Sequence, residues 1–526
     1  MQARAVAAAP RRPLHSVCLT YVKNAAMSDD LHDLSIARLA ALLRTRALSP
    51  RELTAALLAR IAALDPQVNA FITVTAEEAQ AGARRAEAEI AAGRYLGPLH
   101  GIPFALKDIY DTRGVLTSGH SRICIDRVPD EDATAVRRLR EAGGILLGKL
   151  ATHEFAHGGP SFDLPWPPAR NPWNLAHFTG GSSSGPAAAV AAGFAPATLG
   201  SDTGGSIRTP ACFCGIAGLK PTYGRVSRHG VLPNSFSFDH CGPMARSSED
   251  CAILLQAIAG FDARDPASVE RPLPDFRAAL GEELAGLRVG VVRHWWEDDL
   301  KVGGELAAAT DAAIDVLRSL GATIEVVRLR PAQDYHDVKT VIALAELFSI
   351  YQDDLVRRPG EFGADFLGRG SLAGCLVSGA DYMHAQRVRR AMLEEAHALW
   401  TRCDVIVTAG GGPAPRLDSH RTVAFWEKPT LFSPFSVLAN PALIVCCGYG
   451  ANGLPMGVQI GGRPFDEATV LKVGHAYERA TGWGARRPAL DATTRQPPVS
   501  LAAPAPAAGA AAAAAGRSPQ LLARDA

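Results

Sequence analysis

The 526-residue chain carries almost no excess charge of either sign: 54 Lys and Arg stand against 53 Asp and Glu, with no block of five or six like charges. Such a balance offers little to a nucleic-acid backbone or an anionic membrane surface. No apolar run reaches the roughly 18 residues needed to cross a bilayer, so no membrane span is expected. The ten cysteines lack the paired C-x-x-C spacing of a zinc site. Cys212 and Cys214, and the adjacent Cys446 and Cys447, read instead as reduced, mostly buried thiols of a cytoplasmic protein. A Walker A sequence and an H-E-x-x-H pair are both missing, which leaves nucleotide hydrolysis and zinc proteolysis without an anchor. His153, His157 and His177 meet no ligand spacing and read as satisfied loop or core residues; no metal and no cofactor are expected.

What the chain does have is an ordinary enzyme composition, 47% hydrophobic and 20% charged, and one unusual stretch, Asn171 to Gly224. It holds two Gly-Ser nodes, Gly180-Gly181-Ser182-Ser183-Ser184-Gly185 and Thr203-Gly204-Gly205-Ser206. Between them lies an apolar segment that a flexible linker would not contain. A Gly-Gly step before a Ser lets successive N–H groups turn towards one point. ATLGSD reads as a strand ending at the second node, which is how a nucleophile and inward-pointing N–H donors are held as an oxyanion hole. Ser184 or Gly185, followed by Pro186 and alanines, reads as an N-cap that sets a positive helix end beside the serines.

The remaining elements alternate between helix and strand, which predicts an α/β fold. Ser49, Pro50 and Glu52 spell a capping-box helix start, and residues 77–93 read as a surface helix closed by Gly93. The run Ile102 to Leu106 reads as a buried strand that delivers Lys107 into apolar surroundings, where burial can depress its pKa and make it a base. LRVGVVR, a helix from about Glu305 to Leu320, and ATIEVVRL form a further strand-helix-strand unit. Residues 330–400 read as mainly helical, with Phe348, Tyr351 and Phe362 placed to cover an active site. CDVIVTAG, ALIVCCGY and PMGVQIGG are near-continuous apolar strands of a sheet covered on both faces. Residues 1–26, Ala/Arg-rich and without an acid, read as a disordered or mis-called extension ahead of Met27; residues 496–526 read as a disordered Pro/Ala tail.

Lys107 in GIPFALKD, Ser182 in GGSSSG and Ser206 in GSDTGGSIR, followed by CGIAGLKPTYGRVSRHG, resemble the signature of the amidase signature family, and the likeness runs over about residues 30–487. The resemblance implies a single large α/β/α domain, residues 27–495, built on a mixed sheet. It implies a triad in which Ser206 is the nucleophile, Ser182 follows a non-prolyl cis peptide bond, and neutral Lys107 draws the Ser206 proton through the Ser182 hydroxyl. The amides of Thr203, Gly204, Gly205 and Ser206 would hold the oxyanion, while Ser183, Asp202 and Arg208 would orient the loop. The expected activity is hydrolysis of a carboxamide of a small molecule through an acyl-enzyme, and a homodimer is left open. The alternative is the glutamine-hydrolysing A subunit of a tRNA-dependent amidotransferase, which passes ammonia to a partner's substrate.

Two positions depart from the commoner family pattern. The first node often reads GGSSGGS, whereas here Ser184 replaces a Gly and Pro186 a Ser. After Ser206-Ile207-Arg208 the amidotransferase branch usually has Gln, and this chain has Thr209, which weakens the amidotransferase reading. Gly181 to Gly185 also satisfies G-x-S-x-G with Ser183 as nucleophile, but NPWNLAHFTG ahead of it is not the strand that such an elbow requires. The downstream histidines available to that reading, His420 and His475, have nothing special around them.

Overall fold

Strand β2 (Pro103–Lys107) forms where the sequence places its apolar run, and all five residues are buried. It lies between β3 (Ile145–Leu150) and β4 (Ala197–Asp202), parallel to both, so that Leu106 faces Leu199 and the carboxyl ends of β2 and β4 share one edge. In this computed structural model, which describes residues 31–368, 372–419, 429–491 and 493–497, those strands sit in an eleven-stranded sheet. The others are β1 (Phe71–Val74), β5 (Ala217–Lys220), β6 (His240–Ala245), β7 (Arg288–Val291), β8 (Thr323–Val326), β9 (Val405–Gly411), β10 (Ala442–Tyr449) and β11 (Pro455–Gly462). Their spatial order is β1-β3-β2-β4-β6-β5-β10-β11-β9-β7-β8. The pairs β3–β2, β2–β4, β9–β7 and β7–β8 are parallel and the remaining pairs antiparallel, so the sheet is mixed.

The helices cover the sheet. The Ser49 start is a complete capping box on the helix Pro50–Val68, and Ser35 caps Ile36–Arg44. Helix Glu467–Thr481 packs on β10 and β11 and against Ser248–Ile258, while Ser184–Ala191 and Arg208–Cys214 pack on each other and on the central strands. One continuous core runs from Ile36 to Leu490, which makes this a single α/β domain. Strands β9, β10 and β11 are buried almost throughout, as their unbroken apolar runs require of a sheet covered on both faces.

Two expectations change on contact with the fold. Helix Ser184–Ala191 begins at Ser184 with Ser183 in the cap position, and no side chain caps it, because the Ser183 hydroxyl is taken by β4. Pro186 lies within its first turn, so the substitution is absorbed. Tyr351 and Phe362 do not hang over a cleft; they are buried with Phe155, Leu347 and Phe366, and Phe155 stacks on Tyr351 at 4.4 Å. The 1–26 extension, His420 and the tail beyond 497 lie outside the described residues. Gln496, at the head of the expected tail, donates to the carbonyls of Pro66 and Gln67. Among the described residues no helix is long and apolar enough to cross a membrane, and seven of the nine cysteines are buried.

Candidate active site

At the carboxyl edge of β2, the Lys107 Nζ donates to Ser182 Oγ at 2.7 Å and to Ser201 Oγ at 2.9 Å. Lys107 is fully buried, and that desolvation lowers its pKa from the ordinary 10.5 to about 7, against the opposing pull of Asp239, Asp202 and Cys241. A lysine so placed is close to half neutral at physiological pH and can act as a base.

Ser182 reaches Lys107 from the first node. The Gly181–Ser182 peptide bond is cis, and the Ser182 carbonyl accepts from the His153 amide at 3.1 Å. Glycine is required at 181 because a Cβ there would lie 2.0 Å from His153 Cε1. His153 in turn stacks on Phe178, with its Nδ1 2.7 Å from the Gly158 carbonyl, while His177 Nδ1 lies 2.8 Å from that of Ala414.

The second node is built around Asp202, the last residue of β4. Its carboxylate accepts from the amides of Gly205 at 2.8 Å and Ile207 at 3.1 Å, and from Arg208 Nε at 3.0 Å and Nη2 at 2.9 Å. Burial alone would raise the Asp202 carboxyl, but the Arg208 guanidinium holds it well below the usual carboxylate range. Arg208 also donates to the Phe432 carbonyl, Gln459 Oε1 and Ser436 Oγ, which ties the loop to β11 and to the short helix Ser433–Val437.

The bond from Gly205 corrects the sequence reading. Its N–H is committed to Asp202, which leaves the amides of Thr203, Gly204 and Ser206 as the donors that can meet an oxyanion.

Ser183 joins the two nodes. Its amide donates to the Ser206 carbonyl at 3.2 Å; its hydroxyl donates to the Ser201 carbonyl and accepts from the Ser201 amide, each at 3.2 Å. Buried and saturated in this way, Ser183 is poorly placed to be a nucleophile. Ser206 is the more exposed serine. Among the described residues its hydroxyl has no hydrogen-bond partner, so the Lys107–Ser182 link is formed while a Ser182–Ser206 hydroxyl bond is not. Bonds between a nucleophile and its proton acceptor commonly tighten only around substrate.

Three site residues are not singled out by the sequence reading, although Ser201 lies within the GSDTGGSIR stretch. Ser201 holds Lys107 from β4; Asp239 accepts the Thr203 hydroxyl at 2.7 Å; and Lys339, on the helix Ala332–Arg357, brings its Nζ to 3.1 Å from where a Gly204 Cβ would stand. Burial lowers Lys339 to about 8. Only Ser201 left a trace, one residue before Asp202 at the end of a legible strand.

Fold and site together define an enzyme that cleaves amide bonds. The chain belongs to the amidase signature family: the family model described as Amidase matches residues 52–471. It is 42% identical over 486 residues to the A subunit of the glutamyl-tRNA(Gln) amidotransferase of Roseiflexus sp. (strain RS-1), covering 88% of this chain and 99% of that one. Among solved structures it is similar to the peptide amidase of Stenotrophomonas maltophilia, with 32% identity, a TM-score of 0.75, and 86% and 98% of the two chains covered. It is also similar to a chain from a complex described as vestigial and as revealing the origins of an s-triazine catabolic enzyme, with 34% identity, a TM-score of 0.79, and 85% and 99% covered.

Proposed function

We propose that the protein hydrolyses a carboxamide through an acyl-enzyme on Ser206, with Lys107 as base and Ser182 as the proton carrier between them. The observation that carries this reading is the buried Lys107 amine 2.7 Å from the Ser182 hydroxyl. Ser206 Oγ attacks the amide carbon; its proton passes to Ser182 Oγ as the Ser182 proton passes to Lys107 Nζ. The amides of Thr203, Gly204 and Ser206 receive the oxyanion. Collapse breaks the C–N bond, and the proton held by Lys107 returns through Ser182 to the departing nitrogen, releasing ammonia or an amine. Water then repeats the sequence on the ester, freeing the carboxylate and Ser206.

The amide we assign is the side-chain amide of glutamine, with the chain serving as the A subunit of a tRNA-dependent amidotransferase, in the cytoplasm, and passing ammonia to a partner's substrate. Identity of 42% across 99% of one such relative supports this. A second reading, a free-standing amidase for another small amide, is favoured by Thr209. Its Oγ1 lies 2.9 Å from where a Cβ on Gly205 would stand, so the residue that departs from the amidotransferase pattern faces the turn beside the nucleophile.

Ammonia release by the purified chain from glutamine and from a panel of neutral and aryl amides separates the readings, together with copurification. Glutamine turnover that rises with a copurifying partner supports the first. Turnover of other amides by the chain alone, with glutamine inert, overturns it in favour of the second.

A further inference from the structure

Asp239 stands outside both Gly-Ser nodes, in the turn that leads into β6, yet it is bonded to one node and its charge acts on the base. Its Oδ1 accepts the Thr203 hydroxyl at 2.7 Å, and its Oδ2 accepts the amides of Asn234 at 2.7 Å and Ser235 at 2.9 Å. All three donors are neutral. Asp239 also borders a cavity of about 290 Å³ shared with Ser201, His240 and Cys241, and Ser201 is the second hydrogen-bond partner of Lys107.

The charges that face Lys107 are therefore not equivalent. Asp202 is paired with Arg208 through both carboxylate oxygens. Burial pushes the Cys241 thiol up to about 12, which leaves it neutral. Besides Lys107 itself, the Arg228 guanidinium, which lines the same cavity, acts on Asp239, and that group is paired with Asp265 at 3.5 Å. Burial raises the Asp239 carboxyl, with the Thr203, Asn234 and Ser235 bonds opposing. Of the two aspartates acting on Lys107, Asp239 is the one that has no direct ion pair among the described residues.

We propose that Asp239 is a positioning residue for the amide chemistry. It anchors Thr203, and with it the oxyanion-binding loop, while its carboxylate opposes the positive charge that appears on Lys107 when that amine takes up the Ser206 proton. This division of labour resembles the aspartate of a Ser-His-Asp triad, which orients one group and stabilises the cation formed during proton transfer. It rests on the reading of Lys107 as base and Ser206 as nucleophile. It also gives the 233–239 turn a role that its sequence does not announce.

The test is the rate at which a fluorophosphonate labels Ser206, followed by intact mass between pH 5 and 9, for wild type, Asp239→Asn and Thr203→Val. Thr203→Val is expected to lower the plateau rate about tenfold and leave the acid limb in place. Asp239→Asn is expected to lower the plateau by a similar factor and also move the acid limb to lower pH by about half a unit or more, since the ammonium of Lys107 loses a favourable neighbour. A purely architectural Asp239 would not move that limb. An Asp239→Asn limb coincident with wild type, or a plateau unchanged in both variants, overturns the proposal.

If Asp239→Asn does not fold, Asp239→Ala, in which cavity water can meet the Asn234 and Ser235 amides, is read in the same way. Failure of both to fold assigns Asp239 to the fold alone and also overturns it. Labelling that survives Ser206→Ala or Lys107→Ala removes the reading beneath the proposal. Labelling lost in those two variants and normal in Asp239→Asn removes the proposal only.

Discussion

Lys107 Nζ sits 2.7 Å from Ser182 Oγ, with both side chains closed off from solvent. An amine held against a hydroxyl in such a place is useful only when neutral, and the burial that makes it neutral also makes it costly.

The first consequence is kinetic. Because the protonated amine cannot accept the Ser182 proton, kcat/KM is expected to rise with pH through an apparent pKa near the value of about 7 that burial imposes. On the acid side the rate should fall about tenfold per pH unit. A pH–rate profile that stays flat from about pH 5.5 to 8 would exclude Lys107 as the base.

The second is thermodynamic. The folded pKa of Lys107, about 7, lies below the ordinary 10.5, so the unfolded chain binds the extra proton between those values. The burden on stability is greatest below pH 7 and fades as pH approaches 10.5. Lys107→Met is therefore expected to raise Tm, with the largest gain at acid and neutral pH and little gain near pH 10, while abolishing turnover. Thermal melts across that range check it; a gain independent of pH would contradict the assignment.

Removing the nucleophile or the base should cost at least about 1000-fold in kcat, and the double variant Lys107→Ala/Ser206→Ala should be hardly worse than either single one, because the groups act as a unit. Single-turnover assays on folded protein, verified by circular dichroism, provide the measurement. Independent, multiplicative losses would mean that the two residues do not share one proton path.

The Asp202–Arg208 pair is fully buried on both sides. Arg208→Met leaves a carboxylate in the interior without its counter-ion and is expected to cost about 3–5 kcal/mol in urea unfolding. Asp202→Asn/Arg208→Met should recover part of the loss, because the uncompensated charge is gone. A single variant as stable as wild type would show that the pair does not hold the second node together.

Gly205 has φ +124°, and a Cβ on it would stand 2.7 Å from Phe432 Cβ. Gly205→Ala is expected to strain the turn by about 1–3 kcal/mol and to lower kcat at least about tenfold, with the rest of the fold intact. Unchanged turnover would argue that the donor loop tolerates a shift of its backbone.

The chain's own order of residues determined the chemistry and most of the elements. Two Gly-Ser nodes, a strand ending in Lys107, the Ser49 capping box and the apolar runs of β9 to β11 are legible because each depends on neighbours within a few residues. Tertiary structure alone decided which donors and charges surround the triad. The Gly205 amide turns to Asp202, Tyr351 and Phe362 withdraw into an aromatic cluster, and Ser201, Asp239 and Lys339 arrive from separate elements. Hydrogen bonding and burial at those points are set by packing between segments far apart in the chain, and no local pattern carries that information.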